Sequence, residues 1–124
     1  MVDFFTSRIA AFKYALAGWW YVIRTQRNAW VHAAASIMVI SISIWLQINI
    51  TEWLFIIIAI AFVWTAEFIN TALEVVVDLA TKEQHPLARA GKDVGAAAVM
   101  IASLTSMIIG VLVLGPKLWD KLFQ

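Results

Sequence analysis

Three carboxylates and an amide recur along one stretch of the chain at intervals of three, four and four residues: Glu67, Asn70, Glu74 and Asp78. At about 100° per residue of an α-helix, that spacing puts all four on one face. The run leading to Glu67 is almost wholly apolar back to Trp53. A carboxylate at membrane depth costs on the order of 2.5–3.5 kcal/mol, so a cluster of them calls for partners or bound cations. If the helix enters hydrocarbon near Trp53, about 20 residues carry it to Ala72. Glu67 then lies just inside the lipid, and Glu74 and Asp78 emerge among headgroups and water. A base at Glu67 can meet an alcohol on a lipid headgroup. Acids one or two turns farther out can hold a divalent cation and nucleotide phosphates. The plainer alternatives are an interfacial ion pair of Glu74 with Lys92 or Arg89, and simple solvation of Asp78 at a helix end.

A second cluster, Ala90-Gly-Lys92-Asp93-Val-Gly95, opens another apolar run. Asp93 is expected to cap that helix, because a carboxylate there accepts backbone N–H bonds and suits the positive end of the dipole. A lysine beside exposed helix amides suits a phosphate, although Lys92 also fits the bias of basic residues toward the inner face of a membrane. No Gly-x-x-x-x-Gly-Lys-Ser/Thr occurs, so a nucleotide site here is not a P-loop. His32 and His85 are each weak signals alone. Cysteine is absent, which excludes thiolate catalysis and zinc-thiolate sites.

The elements that must position these residues are membrane helices. Hydrophobic residues make up 63% of the 124 and charged ones 14%, against about 25% charged in a soluble domain. A chain this small cannot bury so much apolar surface in water, so lipid is its solvent and one domain its natural organisation. A net charge of +1 and the lack of a basic run argue against a nucleic-acid partner. Residues 4–26 read as an amphipathic helix, with Phe5, Ile9, Phe12, Leu16, Trp19 and Ile23 at helical period. Arg8, Lys13 and Arg24 interrupt it, so it is expected to lie flat on the membrane surface, or else to pack on other helices. Spans are expected over 29–48, where His32 is the sole ionisable residue, over 53–78 and over 93–114. Gln47, Asn49, Thr51 and Glu52 form a polar break between the first two. Pro86 is expected to interrupt helix in the loop Thr81 to Arg89. Small residues at Ala98, Ala102, Ser106 and Gly110 suit close helix packing in the third span. Arg8, Lys13, Arg24 and Arg27 before the first span, and Lys82, Arg89 and Lys92 between the second and third, outnumber Lys117 and Lys121 in the tail. The amino end is therefore expected in the cytoplasm. No cleavable leader is read in the first residues, which carry Asp3.

The combination Glu67-x-x-Asn70-Thr-Ala-Leu-Glu74-x-Val-Val-Asp78, Glu83-Gln-His85-Pro-Leu-Ala and Gly91-Lys92-Asp93-Val-Gly-Ala-Ala-Ala-Val99 closely resembles the prokaryotic diacylglycerol kinase family. The resemblance extends from Phe12-Lys-Tyr14-Ala-Leu-Ala-Gly18 to the third span. It implies an all-α integral membrane homotrimer, each chain a surface helix plus three spans, that transfers the γ-phosphoryl of ATP with Mg²⁺ to a membrane lipid alcohol in the bacterial inner membrane. It further implies Glu67 as general base beside the lipid hydroxyl, Glu74 as a metal ligand, and Lys92 with Asp93 in the nucleotide site. Asn70 and Asp78 match supporting polar positions. Glu83, Gln84 and His85 match a nucleotide-touching loop, and Tyr14 a nucleotide contact from the first helix. Members often have glutamate as a second metal ligand where this chain has Gln26, whose amide oxygen can reach Mg²⁺ but brings no charge. The Arg27-Asn28-Ala-Trp-Val-His32 and His85-Pro86-Leu-Ala segments look like the undecaprenol kinase branch, with diacylglycerol as the alternative acceptor.

A small proton-coupled transporter is the competing class, because an intramembrane glutamate also suits that chemistry. Three spans without an inverted repeat fit it less well. A third possibility is a non-catalytic subunit whose polar face binds partner helices.

Overall fold

The computed structural model describes residues 2–123, with side chains from Thr6 to Phe123. Phe5 of the expected amphipathic face, and Asp3, lie outside the described side chains. The chain is all helix: α1 (Val2–Thr25), α2 (Arg27–Trp45), α3 (Ile50–Ala80) and α4 (Pro86–Phe123). Among the described residues, α2, α3 and α4 are long and apolar enough to cross a bilayer. They run up and down as neighbours, α4 lying along α3 for most of its length.

Helix boundaries follow local chemistry. Between α1 and α2 only Gln26 is extended, at φ −102° and ψ 115°, and Val22 and Ala29 on either side are buried. At the end of α2 the chain turns through Gln47, whose φ of 51° is left-handed. Its N–H reaches the Ile44 carbonyl at 3.1 Å and that of Ile48 the Ser43 carbonyl at 3.3 Å, the paired bonds of a Schellman ending. Ile48 then drops into a core with Leu46, Ile56 and Leu114. Asn49 starts α3: its side chain accepts from Glu52 N–H at 3.0 Å, and its own N–H donates to the Glu52 carboxylate at 2.7 Å. Thr51 and Glu52, expected in the break, thus form the first turn of α3, because this reciprocal cap satisfies N–H groups the helix start leaves open.

The last helix departs further from expectation. Pro86 does not break it but opens it, since the first helical position needs no N–H and favours proline's fixed φ. His85 Nδ1 accepts from Leu87 N–H at 3.2 Å. Asp93 is therefore not the cap; it lies two turns into α4, 3.8 Å from Arg89. At its other end α4 continues through Pro116 to Phe123. Lys117 pairs there with Glu52 at 3.2 Å. Lys121 donates to the Trp45 carbonyl at 3.3 Å and stands over the Trp45 ring, a cation at the negative end of α2.

Small residues bring α4 onto α3, though not all those expected. Ala102 is buried and Ser106 donates to the Ala59 carbonyl at 2.9 Å, but Ala98 is exposed. Its place on the packed face is taken by Gly95 and Val99. A β-carbon at Gly95 would collide with the Asn70 amide oxygen, so glycine is what admits Asn70 to the seam. Gly95→Ala is expected to lower stability by about 1–3 kcal/mol through this overpacking, read by thermal unfolding in detergent. Gly18→Ala, where nothing lies within 4 Å of the added carbon, should lose none and serves as the control.

Candidate active site on the polar face of α3

Each rung of the α3 ladder meets a different element. The innermost, Glu67, is 1% exposed, and its carboxylate lies 3.5 Å from His32 Nε2 of α2. Neither Glu67 oxygen nor His32 Nε2 has a hydrogen-bond partner within the protein. Buried polar atoms are rarely left so, and three converging ones mark a place for a polar guest. One turn on, Asn70 is buried against Gly95 of α4 and donates from Nδ2 to Glu74 Oε1 at 3.1 Å. Thr71 is buried too, its hydroxyl returned to the Glu67 carbonyl at 2.8 Å.

Glu74 is half-buried and held by two amides, since Gln26 Nε2 donates to its Oε2 at 3.0 Å. Gln26 therefore reaches Glu74 from the junction of α1 and α2, across 48 residues of sequence. Asp78, 64% exposed in its side chain, pairs with Lys92 of α4. Burial thus declines steadily from Glu67 to Asp78. The alternative pairing of Glu74 with Lys92 or Arg89 does not occur, because Asp78 and Asp93 take those cations.

Beyond the ladder, the loop after α3 and the first turns of α4 enclose a polar cleft of about 890 Å³. Asp78, Glu83, Gln84, His85, Lys92 and Asp93 all line it, together with Lys82 and Arg89. Tyr14 is not brought to this site; it is 75% exposed on α1. The first helix instead approaches α3 through Trp19, whose ring lies 4.7 Å from Phe68 and 5.0 Å from Trp64.

Among the described residues no group of three or more acidic or histidine side chains forms a ready metal cage. The donor set still suits Mg²⁺, which binds through one or two carboxylates plus substrate phosphates and keeps several waters. Glu74 is the half-buried carboxylate that would serve. Rotating the Gln26 amide by half a turn replaces its donor with an oxygen, and the two orientations differ little in shape. Sequence reasoning gave no site role to two residues at the ladder, His32, which it weighed as a weak signal alone, and Gly95. His32 carried a signal, as the one ionisable residue of its span; Gly95 is defined by its approach to Asn70, which only the fold reveals.

The sequence pattern of the prokaryotic diacylglycerol kinases matches residues 13–114. Undecaprenol kinase of Bacillus subtilis is 42% identical over 108 residues, covering 87% of this chain and 88% of the relative. A diacylglycerol kinase of Synechocystis is 35% identical over 111 residues, 89% of this chain and 63% of the relative. That of Escherichia coli is 33% identical over 89 residues, 66% of this chain and 73% of the relative. A match over most of the chain, falling on the ladder, the loop and the start of α4, makes this protein a member of the prokaryotic diacylglycerol kinase family.

Proposed function

We propose that this membrane protein is an ATP-dependent lipid kinase whose acceptor is undecaprenol, phosphorylated at the polar face of α3. The observation that carries the reading is the buried, unpartnered Glu67 carboxylate beside His32, in line with a polar cleft at the same end of the bundle. The similarity to the undecaprenol kinase of Bacillus subtilis supports the acceptor. Diacylglycerol is the second reading, favoured by the names of the other two relatives.

In this mechanism the lipid hydroxyl reaches Glu67 from the bilayer. Glu67 Oε accepts its proton as the oxygen attacks the γ-phosphorus of ATP, and the bond from that phosphorus to the β,γ-bridging oxygen breaks, so that ADP departs with the electron pair on the cleft side and the lipid leaves as its monophosphate. Lys92 exchanges Asp78 for phosphate oxygens; an exposed ion pair is worth only about 0–1 kcal/mol, so the exchange is cheap. Lys82 and Arg89 add positive charge on the same side, and Glu83, Gln84, His85 and Asp93 contact the nucleotide. Glu74 and Gln26 would hold Mg²⁺, which when bound would neutralise phosphate charge. Tyr14 joins the nucleotide from α1 of a neighbouring copy in a homotrimer, which fits its exposure and its absence from the cleft lining in its own chain. The amino end and the cleft face the cytoplasm, with α1 on the membrane surface. The lysines of the opposite end are taken up by Glu52 and the Trp45 carbonyl.

Transfer of radiolabelled phosphate from ATP to undecaprenol and to diacylglycerol, compared side by side in detergent, tests the assignment; labelling of neither lipid refutes it. Glu67→Gln is expected to lose transfer by about 10²–10⁴-fold while still binding ATP, and full activity in that variant removes Glu67 from the mechanism. Gln26→Glu places a second carboxylate against Glu74. Unfolding should then occur at lower temperature without Mg²⁺ and rise more steeply on Mg²⁺ titration than in the parent protein. Identical titrations would separate residue 26 from the metal.

A further inference from the structure

Gly95 stands on α4 where a side chain would otherwise point at Asn70 of α3. A β-carbon there would overlap the Asn70 amide oxygen, whereas Asn70 Cγ at 3.4 Å and Leu73 Cδ1 at 3.7 Å are at ordinary contact distance. The amide oxygen alone thus fills the notch that the missing side chain leaves. Asn70 is buried, and this oxygen has no hydrogen-bond partner, a costly state for a buried acceptor. Turning the amide over gives no relief. Asn70 Nδ2 donates to Glu74 Oε1 at 3.1 Å, and the turn would set oxygen against a carboxylate.

The same turn of α4 answers a second rung. Lys92, three residues before Gly95, pairs with Asp78, so α4 receives the polar residues four before and four after Glu74. The other Glu74 oxygen accepts from Gln26 Nε2 at 3.0 Å. Its carboxylate therefore has one amide on each oxygen, and one of the two depends on α4 carrying no side chain at position 95. Deeper in the bundle α4 is pinned to α3 by buried Ala102 and by the Ser106 bond to the Ala59 carbonyl, so the movable part is the Asn70 side chain. A methyl group at position 95 would swing that side chain aside and take Nδ2 off Glu74. Groups that hydrogen-bond a ligating carboxylate orient it, and their loss weakens metal binding.

We propose that Gly95 is a positioning residue, whose bare backbone keeps the Asn70 amide on Glu74 and so sets the orientation of that carboxylate. The role rests on the kinase reading above for the metal that Glu74 would hold, and on the distances alone for the contact. Packing of α4 against α3 and the aim of Glu74 are then one adjustment, made where the two backbones come closest to the ladder.

The test uses the full chain in lipid nanodiscs, as the parent protein, Gly95→Ala, Asn70→Ala and the double variant. Without metal, the side-chain amide NMR resonances of Asn70 and Gln26 should both move in Gly95→Ala, because both amides share Glu74. Movement of neither, or of Asn70 alone, overturns the coupling. With a non-hydrolysable ATP analogue present, the Mg²⁺ concentration that gives half of the thermal stabilisation should rise about tenfold or more in Gly95→Ala, while KM for the lipid alcohol keeps its parent value. Lower thermal stability with the parent Mg²⁺ midpoint would mean that Gly95 only packs, and the positioning role fails. Asn70→Ala should shift the midpoint as far, and adding Gly95→Ala to it should shift it no further, since the two act through one contact. Additive shifts, or a parent midpoint in Asn70→Ala, overturn the route through Asn70. Those two proteins contain no clash, so they decide the matter even where Gly95→Ala alone does not fold. A parent protein whose unfolding ignores Mg²⁺ counts against the metal reading of Glu74 alone, and the amide resonances still decide the contact.

Discussion

Carrying carboxylates on a helix inside a bilayer is the constraint from which the arrangement follows. Glu67 cannot face hydrocarbon, so α3 must turn that side toward the rest of the chain, and each rung is answered from a different element. His32 comes from α2, Gln26 from the bend between α1 and α2, and Lys92 from α4. The polar face acts as the seam along which the helices assemble. Among the described residues, the buried polar atoms it leaves without a partner are both Glu67 oxygens, His32 Nε2 and Asn70 Oδ1.

Rigidity around those atoms comes from elsewhere. Close approach of α4 to α3 at Gly95, Ala102 and Ser106 fixes their relative rotation. At the opposite end, Glu52 and Lys117, Lys121 and the Trp45 carbonyl, and the core of Leu46, Ile48, Ile56 and Leu114 clasp the three helices. In lipid such interhelical hydrogen bonds and close packing replace the hydrophobic effect as the force between helices. At the other end, Asp78, Lys92 and the loop are exposed or half-exposed and joined by surface pairs.

The ladder and the helices that carry it were legible because both depend on period and composition. Glu67, Asn70, Glu74 and Asp78 share a face at any register of an α-helix, and an uncharged run of span length has few other uses. Helix ends were less legible. Pro86 reads as a breaker until its neighbour His85 is seen to receive the Leu87 N–H, and Glu52 reads as loop until Asn49 closes on it. Gln26 and Glu74 could be linked only by resemblance, since 48 residues separate them and no local rule spans that distance. His32 was visible as an oddity in its span, but its contact with Glu67 depends on how α2 lies against α3.

The helices differ in length in a way that bears on how the two substrates meet. The 19 residues of α2 rise roughly 28 Å, close to the thickness of a bilayer's hydrocarbon, whereas the 31 of α3 and 38 of α4 rise roughly 46 Å and 57 Å. Because Lys121 ties the far end of α4 to the last residue of α2, much of the surplus lies at the opposite end, with Asp78 and Lys92. That extra length carries Asp78, Lys92 and the loop beyond the reach of α2. For the kinase reading proposed above, backbone rise then sets the vertical offset between a greasy acceptor and a soluble donor.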